Sequence, residues 1–127
     1  MLIFDTDVII FAQRGNDNAI DIIDSTEERA LSVQSYMELL QNAQNKDQNR
    51  MTMRFVRGMD FMILPFSENI GHRASVYVEE YSLSHSMEAG DALIAATAVE
   101  NGYPLLSANA KHYRAVKELD FKAFKPA

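Results

Sequence analysis

The stretch GDALIAATA, residues 90–98, constrains the fold more than any other part of the chain. After Asp91 it carries no charge and a single hydroxyl, that of Thr97. Read at the helical period, its apolar residues fall on nearly every side. The helix it predicts, from Gly90 to Glu100 and stopped by Asn101-Gly102, therefore belongs inside a substantial core. Asp91 at the head of such a helix is costly unless it is hydrogen-bonded, paired or bound to a metal.

The remainder alternates short apolar runs with helical patterns. LIFD, ALSVQ, FMILPF and PLLS read as strands, and FKAF as a last one. Between them lie VIIFAQR, DNAIDIID capped by Asn16, and SYMELLQNAQ with Met37, Leu39 and Leu40 turned inward. Further on come QNRMTMRFVRGM closed by Gly58, ENIGHRASVYVEEY capped by Ser67, and a short AKHYRAV helix. Strands alternating with helices predict a three-layer α/β/α sandwich with a mostly parallel central sheet. The 127 residues suit one domain, 1–127, and no repeat or linker divides them. No run is apolar for the ~20 residues of a membrane span, and Asp5 and Asp7 interrupt the N-terminal run, so neither a membrane anchor nor a signal peptide is expected. The absence of cysteine fits a reducing cytoplasm and leaves no thiolate metal site.

In parallel sheets, ligands gather beyond the carboxyl ends of the strands. Four polar residues fall there: Asp5 after LIF, Glu38 one turn past ALSVQ, Asp91 at the head of the buried helix, and Asn109 after PLLSA. Each also has a local role open to it. Asp5 can form a turn, and Asn109 can cap the helix after it. Ser35 and Glu38 match a capping box, and Asp91 suits the first turn of a helix. Taken together, three carboxylates at one sheet edge repel one another and resist ionisation. Oxygen ligands of this kind suit Mg²⁺ or Mn²⁺, which can activate water and clamp a phosphodiester oxygen.

LIFDTDVII, SVQSYMELLQNA and GDALIAATAVENGYPLLSANAKHY together resemble the PIN-domain family, and within it the VapC-type toxin ribonucleases. The resemblance implies an endoribonuclease dependent on Mg²⁺ or Mn²⁺. It assigns Asp5, Glu38 and Asp91 as metal ligands, and Asn109 to a position where many relatives carry a fourth acid. Thr6 and Ser107 match hydroxyl residues that support the site. Asp7 departs from the asparagine or serine usual at its position, and Asn109 leaves the fourth charge missing. The resemblance further implies a separate antitoxin protein, a homodimer and an RNA substrate.

The formal net charge of −6 argues against nucleic acid, but its distribution does not. Residues 1–48 hold nine acids and three bases, whereas residues 101–127 hold five bases and two acids. Local fields steer phosphates. Arg50, Arg54 and Arg57 form one basic stripe, and Lys111, Arg114 and Lys117 another, each equally readable as a solvated face. The parallel Met51, Phe55, Met59 stripe reads as core, or as a groove for a partner helix. His112 reads as structural, or as a group near phosphate.

Two other enzyme classes lack a required part. The D-x-D of FDTDVI resembles haloacid-dehalogenase-type phosphatases, with Asp5 as nucleophile and Asp7 as acid. The lysine that family needs has no counterpart between Lys46 and Lys111. Response-regulator receivers need an aspartate at the end of FMILPF, which offers none. A PIN-like module that binds RNA or protein without cutting is the remaining alternative. Clustered acids argue against it, since they gain nothing for RNA binding alone.

Overall fold

The computed structural model describes all residues, 1–127. The elements run β1 (Leu2–Phe4), α1 (Thr6–Gln13), α2 (Asp17–Ser25), β2 (Arg29–Ser32), α3 (Val33–Asn42) and α4 (Lys46–Gly58). They continue with β3 (Met62–Leu64), α5 (Glu68–His85), α6 (Ala89–Asn101), β4 (Leu105–Ser107), α7 (Ala110–Tyr113) and β5 (Phe121–Ala123). The five strands form one sheet in the order β3-β2-β1-β4-β5. Every neighbouring pair is parallel. The order reverses between β1 and β4, and a parallel sheet opens its ligand crevice at such a switch point.

The three central strands β2, β1 and β4 are largely buried on both faces, which fits their apolar character, while the edge strands β3 and β5 are partly exposed. Alternation along them separates two cores. Ile3, Ala30 and Leu105 face α5 and α6, together with Ile70, Ala74, Tyr77 and Ile94. Phe4, Leu31 and Leu106 face the other layer, with Val8, Ile9, Ile23 and Leu39. Each such fully buried Ile, Leu or Phe contributes about 1.5–3 kcal/mol. In α6, six of the seven positions from Ala92 to Ala98 are sealed, all but Leu93. Its small residues let it lie between the sheet and α5, and Thr97 satisfies its hydroxyl on Leu93 O at 2.7 Å. Gly102, at φ 69°, ends the helix in the left-handed conformation that glycine adopts without strain.

Several expected details differ. β2 stops at Ser32, whose hydroxyl accepts from Gln34 N at 3.1 Å and caps α3 three residues earlier than expected. The Ser35–Glu38 capping box therefore does not form. Leu39 is buried as expected, and Ser35 with it, whereas Met37 is exposed and Leu40 only partly covered. Helix α4 is capped by Asn45, starts at Lys46 and is not closed by a left-handed Gly58; the positive φ falls at Asp60. The AKHYRAV helix reduces to the single turn of α7.

Candidate active site

Asp5 leaves β1 and caps α1, so the strand end fixes its backbone and the helix start fixes its side chain. Its Oδ1 accepts from Thr6 N at 2.8 Å. Its Oδ2 accepts from Ser107 Oγ at 2.7 Å, across the switch point, and from the Tyr113 hydroxyl at 3.1 Å. Asp5 is 4% exposed. Burial, and next the neighbouring Asp7 charge, raise its pKa to about 7.

Asp7 lies in the first turn of α1. Its Oδ2 accepts from Ala108 N at 3.0 Å and lies 3.4 Å from Ser107 Oγ. Its Oδ1 is closed off from solvent and has no hydrogen-bond partner. Burial raises the pKa of Asp7.

Asp91 is the third residue of α6, not its cap. Oδ2 accepts from Glu88 N at 3.1 Å, so the local first-turn role weighed from sequence is real. It is not the only role. The Tyr113 hydroxyl lies 3.5 Å from Asp91 Oδ1, and His112 Nδ1 lies 3.0 Å from Oδ2. The pKa of Asp91 is raised, mainly by burial.

Glu38 reaches the group from α3. Its Oε1 accepts from Thr6 Oγ1 at 2.5 Å and its Oε2 from Gln34 Nε2 at 3.0 Å. Thr6 thus touches Asp5 with its backbone and Glu38 with its side chain. A Cβ on Gly90 would stand 2.6 Å from Glu38 Oε2, so a side chain there would displace that carboxylate.

The acids Asp5, Asp7, Asp91 and Glu38 are therefore linked through Ser107, Tyr113 and Thr6. Tyr113 is the residue that sequence reading missed. It is fully buried and stacks on Phe121 with centroids 5.8 Å apart. Its own pKa is pushed well up, first by burial, so its hydroxyl keeps its proton and donates. A tyrosine in AKHY gives no sign in the sequence that it points inward.

Asn109 stands apart. It is exposed, its side chain makes no hydrogen bond, and only its backbone N–H joins the site, donating to Ser107 Oγ at 3.0 Å. The phosphatase-type reading of Asp5 and Asp7 needs a lysine at these acids, and the donors that reach them are Thr6, Ser107, Tyr113 and Ala108 instead.

As they stand, no three His, Asp or Glu side chains form a ready-made ion cage. The donor set nonetheless fits a hard divalent cation. It offers carboxylate oxygens only, burial opposes the ionisation of Asp5, Asp7 and Asp91, and Asp7 Oδ1 is a buried acceptor without a partner.

Among the basic residues, Lys111 and Arg114 are exposed and flank the two site residues of α7. Arg50, Arg54 and Arg57 lie along exposed α4. The structure does not bring them to the carboxylates, and Arg50 instead lies 3.8 Å from Asp47. Met51 and Phe55 line a groove of about 610 Å³ with Ile10, Leu39 and Thr52. Met59 does not line it, and packs on the core instead. No helix is long and apolar enough to cross a membrane.

The fold has counterparts among solved structures. A toxin-antitoxin complex from Klebsiella pneumoniae aligns with TM-score 0.78 and 23% identity, covering 100% of this chain and 98% of that one. FitAcB from Neisseria gonorrhoeae aligns at 0.73 and 23% identity over 99% and 98%. VapBC2 from Rickettsia felis, bound to a DNA fragment from its promoter, aligns at 0.79 and 18% identity over 98% of both chains. No curated protein matches the sequence. The family model of the PIN domain matches residues 2–118. With nearly its whole length matched, the chain belongs to the PIN-domain family.

Proposed function

We propose that this chain is a divalent-metal-dependent endoribonuclease that hydrolyses RNA phosphodiester bonds and serves as the toxin of a type II toxin-antitoxin pair. The observation that carries the reading is the linked set of carboxylates at the switch point, Asp5 buried and the others partly buried, with Asp5 and Asp91 sharing contact with one tyrosine hydroxyl. Asp5, Glu38 and Asp91 would hold Mg²⁺ or Mn²⁺. When bound, the ion supplies a water of lowered pKa and neutralises charge at the phosphate.

The protein's own groups do the rest. Ser107, Thr6 and Tyr113 orient the carboxylates and satisfy their outer lone pairs, which keeps the donor set from collapsing or rotating away. Asn109, exposed beside Ser107, is free to position the attacking water or the substrate. Lys111 and Arg114 offer the first phosphate contacts, with Arg50, Arg54 and Arg57 as a more distant strip. The groove lined by Met51 and Phe55 suits an apolar helix face of a separate antitoxin. Toxin-antitoxin assembly in the structural neighbours supports that partner, and a homodimer in the reducing cytoplasm is part of the same reading.

Cleavage of structured RNA with Mg²⁺ or Mn²⁺, set beside Asp91→Asn, tests the reading. The wild type is expected to cut only with the ion, and the variant to lose at least about a hundredfold in rate, as expected for a misplaced reacting group. Equal cleavage by both proteins, or cleavage indifferent to divalent ions, sinks it. Ion-independent RNA binding without cleavage would favour the non-cutting module.

A further inference from the structure

We infer that Asp7 supplies the fourth carboxylate of the ion-binding centre, in place of the charge that Asn109 lacks. The inference rests on the nuclease reading above and adds a residue to the same site.

Two ordinary roles are open to Asp7, and neither accounts for its environment. An acid in the first turn of a helix is favoured by the helix dipole, but the dipole gives Oδ1 no hydrogen-bond partner. The side chain also clamps the loop after β4, by accepting from Ala108 N at 3.0 Å. That clamp needs one oxygen and no charge, so asparagine would perform it without burying an anion.

What asparagine would not supply is a second anionic oxygen. Oδ1 of Asp7 is that atom, sealed from solvent and bonded to nothing. An unmet buried acceptor costs roughly 1–3 kcal/mol, and more when charged. Ser107 does not relieve the shortage. Its single proton goes to Asp5 Oδ2 at 2.7 Å and it stands 3.4 Å from Asp7 Oδ2, so that carboxylate is held by backbone N–H groups, of Ala108 at 3.0 Å and of the adjoining Val8, with Oδ1 left over. A carboxylate so poorly matched with donors, and held against the same serine as Asp5, is matched by a cation. Asn109, the residue at the fourth position by sequence, turns its side chain to solvent instead.

The test is calorimetric titration of chelator-treated protein with Mn²⁺, together with thermal unfolding of the same ion-free samples. Asp7→Asn keeps the size of the side chain and the acceptor for Ala108. It is expected to weaken Mn²⁺ binding by about tenfold or more, in the range seen when groups around a metal are removed. The ion-free variant is expected to melt above the wild type, because a buried charge is gone. Asp7→Ser serves as a second uncharged variant and is expected to weaken Mn²⁺ binding likewise. Wild-type affinity in Asp7→Asn, with binding lost in Asp5→Asn, would show Asp7 to be a clamp only and overturn the inference while sparing the nuclease reading. Absence of Mn²⁺ binding in the wild type, or unaltered binding in Asp5→Asn, would overturn both.

Discussion

The backbone of Gly90 passes so close to Glu38 that a Cβ added there would lie 2.6 Å from Glu38 Oε2. The same Cβ would come 3.1 Å from Gln34 Nε2. Both atoms are the far ends of flexible side chains, so they can swing aside. Gly90→Ala is therefore expected to leave stability unchanged or to raise it by up to about 1 kcal/mol, the gain of alanine over glycine in a helix. Glu38, however, must move its carboxylate. RNA cleavage should fall by about a hundredfold, the loss typical of a 1 Å misplacement at a reacting centre. Thermal melts and cleavage rates on one preparation check both halves. A variant that melts lower and cuts normally would contradict the account.

Tyr113 acts through its hydroxyl, since its ring is already held by the core and by Phe121. Tyr113→Phe removes the donor shared by Asp5 and Asp91 without opening a cavity. The expected stability loss is about 1 kcal/mol, the net worth of one hydrogen bond. Cleavage at limiting Mn²⁺ should drop and recover as Mn²⁺ is raised, because the carboxylates lose orientation and not identity. A rate loss that no ion concentration restores would assign Tyr113 a different role.

Burial lifts Asp5 from the usual carboxylate value of 3.8 to about 7. Between those values the folded ion-free protein holds a proton that the unfolded chain has already released. Its stability is therefore greatest below pH 3.8 as far as this group is concerned, falls as pH rises to about 7, and is level beyond. Asp7 and Asp91 are raised in the same direction and add to the trend. A melting series in chelator from pH 5 to 8 should show a falling Tm, and saturating Mn²⁺ should abolish or reverse the slope. A Tm that rises with pH in chelator would be the opposite of what these buried acids require.

The layered fold was legible because its signals were strong ones. Buried strands such as LIF and LLS had no polar side to confuse them, and the Ala-rich run of α6 had only one place to go. Boundaries were less legible where two caps competed. Ser32 and Ser35 both suit a helix start, and the choice of Ser32 depends on where β2 runs out of partners in β3. That choice redirected Glu38 from its own backbone toward Thr6, which no local pattern announces. The strand-end acids could be marked in advance, since chain order places them at one sheet edge. Tyr113 could not, because its position depends on a single turn that folds only against the finished core. The unpaired oxygen of Asp7 is likewise a property of packing, invisible until Ala108 and Ser107 are in place.

The central claim is that these carboxylates bind a divalent ion at the switch point. Anomalous scattering from crystals of this protein soaked in Mn²⁺ tests it most directly. The account predicts a peak among the carboxylates of Asp5, Glu38 and Asp91, lost in Asp5→Asn crystals treated alike. No peak there, or one that survives the substitution, would contradict it.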